Sequence, residues 1–73
     1  MASPMRYSSL RDLSSALRDK LAISAIFTSV NTRLILQTGV NLKSIDPAKD
    51  ADAESIRKVE AALIKMGISL GGR

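Results

Sequence analysis

Seventy-three residues with a 45% hydrophobic share suit one small folded domain rather than a disordered chain. The absence of Cys and His excludes disulfide stapling, thiol chemistry, Cys/His zinc sites and imidazole acid–base catalysis. Eleven Lys and Arg against seven Asp and Glu leave a net charge of +4, and the excess sits in residues 1–45.

Residues 1–8 read as an N-terminal arm, because Pro4 disfavours helix at Ser3. A first helix is expected over about 9–21. Ser9 begins a capping box with Asp12 at the third helical position, where a negative charge also suits the helix dipole. Leu10, Leu13, Leu17 and Leu21 then recur at helical spacing. Arg11 and Arg18 share one flank, Asp12 and Asp19 the other, as on a solvated face.

A second helix is expected over 23–38, with Ile23, Ile26, Phe27, Val30 and Leu34 on the buried stripe. Gly39 supplies a left-handed stop, and Val40 and Ile35 form the apolar pair of a Schellman ending. The Ile, Val and Thr content supports a rival, an α+β fold with a hairpin inside about 22–42. Its turn, Asn31-Thr32, lacks the glycine that a two-residue hairpin favours, so helix is preferred. Ile35 and Leu36 fall off the stripe on either side, which leaves the helix end apolar almost all round.

Residues 41–51 form a connector with Leu42 and Ile45 as anchors and Asp46-Pro47 as a turn or helix-start signal. A third helix is expected over 52–66, capped by Asp52 or Asp50, with Ile56, Val59, Leu63 and Met66 on its stripe. Glu54 and Lys58 are an i,i+4 pair. Gly67 ends the helix, and Ile68 folds back on Leu63. The segment 63–70 echoes 35–42, which reads as two helix ends built alike. Residues 71–73 are a short tail. The expected fold is therefore all-α: one small three-helix domain over 9–70, with an extended N-terminal arm and a short C-terminal tail.

Catalysis has little support. Ten serines have no His to activate them, and Asp46, Asp50, Asp52 and Glu54 occupy turn and cap positions. The run Asp50–Glu54 starts like a calcium loop, but Ser55 and Ala61 stand where a glycine and a bidentate glutamate are needed. No glycine-rich loop precedes a helix to cradle phosphate. The expectation is a protein that is not an enzyme and uses no metal or other cofactor.

A chain of this size without staples, and with Tyr7 and Phe27 as its two aromatics, has a small core. Self-association or a protein partner would complete it. The expected partner surface is Ile35, Leu36, Val40 and Leu42, with Met5, Arg6 and Tyr7 as an anchoring arm; Ile64 is a further apolar surplus. The expected function is non-enzymatic interaction or assembly. Two forms fit: a small subunit of a larger complex, such as a minor virion component, or a regulator docking on a larger machine.

The alternative is a basic helical nucleic-acid binder with a degenerate helix-turn-helix around Gly39, Val40 and Ile45. Its contacts would come from Arg6, Arg11, Arg18, Arg33 and Lys43. The bulk of Ile35 and the position of Pro47 count against it. No signal peptide, transmembrane span or membrane-surface helix is expected, which points to the cytoplasm or to a particle assembled inside the cell.

Overall fold

The computed structural model describes residues 7–70; Met5 and Arg6, assigned above to an anchoring arm, lie outside that range. Three helices follow in order: α1 (Leu10–Leu21), α2 (Ser24–Thr38) and α3 (Ala53–Lys65). All three expected helices are present within a residue or so of their expected ends. Among the described residues there is no strand, so the hairpin alternative over 22–42 is not formed. Helix also prevails over the local β preference of Ile, Val and Thr because α2 packs against both other helices.

Leu10, Leu13 and Leu17 of α1, Phe27, Val30 and Leu34 of α2, and Ile56, Val59, Ala62 and Leu63 of α3 form the core. Val40 and Leu42 join it from the connector. Tyr7, Leu21, Ile45, Met66, Ile68 and Leu70 are half-buried against its margin.

The α1 N-terminus is closed from two directions. Ser9 Oγ accepts from Asp12 N at 3.0 Å, the expected cap. Asp50, on the far connector, accepts from Leu10 N through its carbonyl and from Arg11 N through Oδ1, at 2.6 and 3.0 Å. One residue thus satisfies two donors that the helix cannot satisfy itself. Asp50 is therefore a tertiary cap of α1, and Asp52 is the cap of α3, accepting from Ser55 N at 3.0 Å.

Between α1 and α2 the chain turns in two residues. Ala22 adopts φ 63°, ψ −29°, and Ile23 N donates to Leu21 O at 2.6 Å. A β-carbon in this left-handed region is strained. Gly39 holds a similar φ, 75°, at no such cost.

The two glycine-terminated helices end differently. At Gly67 the bonds Gly67 N to Ile64 O and Ile68 N to Leu63 O, each 2.9 Å, make the expected Schellman pattern. At Gly39 a single backbone bond runs to Ile35 O, and Val40 N donates to Thr38 Oγ1 at 3.1 Å instead. The side-chain hydroxyl of Thr38 replaces the second backbone bond, so the echoed segments are not built alike.

Asn31 lies on the core face of α2, 3% exposed. Its Oδ1 accepts from Leu42 N and its Nδ2 donates to Asn41 Oδ1, both at 2.8 Å. Asn41 Oδ1 also accepts from Lys43 N at 2.9 Å, and Ser14 Oγ of α1 donates to Leu42 O at 3.4 Å. Both backbone polar groups of Leu42 are thus met by side chains from two different helices, which lets its side chain enter the core.

Two stability outcomes follow. Ala22→Gly should raise unfolding free energy by about 0.5–1 kcal/mol, as release of backbone strain exceeds the extra unfolded-state entropy. Urea denaturation checks this, and a loss would mean that the β-carbon packs usefully. Asn31→Leu, similar in volume, should cost about 2–3 kcal/mol because Leu42 N–H loses its buried acceptor. An unchanged midpoint would show that apolar burial alone holds the connector.

Candidate interaction surface

Side chains advance by about 100° per helical residue, so Leu34, Ile35 and Leu36 point in three directions. Leu34 is in the core, Ile35 lies on a flank at 38% exposure, and Leu36 faces outward at 82%. Ile64 on α3 is likewise outward, at 74%. Ile23 and Ile26, expected on the buried stripe of α2, are exposed instead. The buried face is rotated toward Asn31, a polar residue that an apolar pattern passes over.

The rest of α2 explains why its outer side matters. Of its 15 residues, Arg33 alone carries a charge. Ser24, Ala25, Thr28, Ser29, Thr32, Ile35 and Leu36 are exposed. A helix that faces water across its outer side ordinarily carries charged residues there. By contrast, the exposed residues of α1 include Arg11, Asp12, Arg18, Asp19 and Lys20.

The expected partner residues therefore divide. Ile35 and Leu36 are on the surface. Val40 and Leu42 are not available to a partner, since the chain's own segments leave them 6% and 2% exposed. The Asn31 and Ser14 hydrogen bonds that accept Leu42 into the core were invisible to apolar periodicity. Tyr7 is half-buried against the same core, so its ring packs within the domain. The missed part of the surface is a groove of about 470 Å³ between α2 and α3, lined by Gln37, Thr38, Lys58, Ala61, Ala62 and Lys65. The spacing of Lys58 and Lys65, seven apart on one helix face, was its one signal in the sequence.

The cations assigned to nucleic acid are engaged in several places. The Arg18 guanidinium carbon sits 4.1 Å from the centre of the Phe27 ring, over a buried aromatic. Lys43 Nζ donates to Thr28 Oγ1 at 3.0 Å. Arg11 is on α1 and Arg33 on α2. After Gly39 the next helix begins at Ala53, so a recognition helix around Ile45 is not formed. Residues 47–51 are turns, with Lys49 N bonded to Asp46 O at 2.8 Å.

Four of the carboxylates are similarly occupied, whereas Glu60 Oε2 is buried without a hydrogen-bond partner. Asp46 Oδ1 accepts from Ala48 N at 2.9 Å and closes a local turn, while Asp50 and Asp52 cap α1 and α3. Glu54 lies 3.9 Å from Lys58 on the α3 surface. Asp52 also accepts from Ser55 Oγ at 2.8 Å. That side-chain bond first, then the bond from Ser55 N, holds its carboxyl below the ordinary value of 3.8, with Lys49 and Lys58 adding smaller pulls. Among the described residues no three carboxylates gather as a metal ion would need, and no helix is long and apolar enough to cross a membrane.

Comparison with protein-family models, with curated protein sequences and with solved structures gave no match.

The depressed Asp52 pKa gives a signed pH dependence. Its contribution to stability is fully present above the unfolded carboxylate value and is lost as pH falls through the lower folded value. Asp52→Asn keeps a capping oxygen but cannot titrate. Melting curves across the acid range should therefore fall less steeply for the variant than for the parent. Parallel curves would mean that Asp52 does not contribute to the acid sensitivity.

Proposed function

We propose that this chain is a non-enzymatic interaction or assembly protein, a small subunit or regulator that docks on another protein through the outer side of α2 and the adjoining face of α3. The observation that supports the reading is the nearly uncharged outer side of α2 beside a complete core. Leu36 remains 82% exposed, although twelve apolar side chains among the described residues are buried. Ile64 on α3 adds a second outward aliphatic side chain. On α2 itself Ile26, Ile35 and Leu36 are exposed with Arg33 as the one charge, and large apolar side chains on such a charge-poor face are the anatomy of a contact surface, whereas scattered ones are ordinary.

The non-enzymatic part of the reading is supported by chemistry. The chain has no His or Cys, and Asp46, Asp50 and Asp52 spend their oxygens on backbone donors. The nucleic-acid alternative has less behind it: Arg18 and Lys43 are spent on Phe27 and Thr28, and no helix follows Gly39 closely.

The test is the double substitution Leu36→Lys and Ile64→Lys in the tagged full chain, expressed in its source cells. Both sites are exposed, so folding free energy should change by no more than about 0.5 kcal/mol per site. The parent should sediment above 7.8 kDa with a defined partner, and the variant should sediment as the free chain. A parent that sediments alone, or a variant that keeps the partner, overturns the reading.

A further inference from the structure

The α2–α3 groove combines two alanine side chains with two lysines, one of which has a solvent-exposed carboxylate beside it. Ala61 and Ala62 line it from α3, and Lys58 and Lys65 stand along the same helix. Gln37 closes it from α2, and Arg33 lies one turn before Gln37, where i,i+4 side chains are neighbours. Leu36 neighbours Arg33 at i,i+3 on the outward side of α2, and Ile64 neighbours Ala61 at i,i+3 on the outward side of α3. Among the described residues Leu36 and Ile64 are the two most exposed of the large hydrophobic side chains, and each stands on one of the two helices that wall the groove. Among the described residues the side chains of Gln37, Arg33 and Lys65 make no hydrogen bond or ion pair. Lys58 has the solvent-exposed Glu54 at 3.9 Å, a weak partner.

We infer that this groove seats an acidic amphipathic helix of a partner protein. Its apolar stripe would lie on Ala61, Leu36 and Ile64, and its flanking carboxylates would meet Lys58, Lys65 and Arg33. The inference rests on the docking reading above and names the partner's chemistry. Helix-in-groove recognition uses such an apolar stripe, and complementary charge at the margins sets orientation and rate. A second copy of this chain fits poorly, because a two-fold pairing of this face would set its own cations against one another. A phosphate backbone fits poorly too, because Leu36 and Ile64 would be left against charged oxygens.

The probe is a displayed random-peptide library of about 16 residues, long enough for roughly four helical turns, selected against the full chain at low salt. Selected peptides should be acidic, carry apolar residues at helical spacing, and bind less well as salt rises. Lys58→Glu with Lys65→Glu should weaken them at least about tenfold while Leu36→Lys also weakens them. Both lysines are exposed, and circular dichroism confirms that the double variant is folded.

Neutral or basic peptides, or acidic ones indifferent to the lysine reversal, overturn the acidic-helix inference while leaving docking through Leu36 standing. A library with no binder overturns the inference as well. Self-association, or low-salt binding of a DNA duplex, that disappears on lysine reversal would assign the groove to that occupant and overturn it.

Discussion

The placement of the connector depends on one buried amide. Asn31 offers an acceptor to Leu42 N–H and a donor to Asn41, and Ser14 completes Leu42 through its carbonyl. A buried backbone N–H without an acceptor is costly, so Leu42 can enter the core only while these side chains stand where they do. With Leu42 seated, the connector is held against both α1 and α2. Further along it, Asp50 reaches the first turn of α1, and the short path to Ala53 starts α3. Asn31 thus ties α2 to the connector, and Ser14 ties the same connector residue to α1.

That arrangement also decides what is left outside. Turning Asn31 inward rotates the buried face of α2 away from Ile23 and Ile26. Val40 and Leu42 supply core volume from the connector, so the core is complete without Ile35, Leu36 or Ile64. The outward aliphatics are therefore a separate feature of the molecule and not the remnant of an unfinished interior. The smallness of the chain supports this division: among the described residues a core of twelve buried apolar side chains leaves Leu36 and Ile64 outside it. The charge distribution follows the same line, with mixed charges on α1 and almost none on α2.

Much of the architecture was readable from short-range chemistry. Leucines at helical spacing set α1, and Ser9 and Asp52 capped the helices they precede. Gly67 ended α3 in a Schellman pattern because a residue without a β-carbon adopts positive φ freely. Less of the candidate site was readable. Ile35 and Leu36 were picked out by their angle around the helix, which is a local property. Val40 and Leu42 were misplaced because apolar character alone does not say which molecule covers a side chain. Lys58 and Lys65 were overlooked because a groove has two walls, and the second, at Gln37 and Thr38, comes from another helix.

The chain's own order of residues was enough to define three helices, their caps and stops, and the lack of imidazole and thiol chemistry. These rest on contacts within a turn or two, whose energies do not depend on the rest of the fold. Three outcomes waited for the packed molecule: Asp50 closing α1 instead of α3, Asn31 turning inward, and a basic groove forming between α2 and α3. Each joins groups at least ten residues apart. Such pairings are favourable only once the helices have been placed against one another, and no local period encodes that placement.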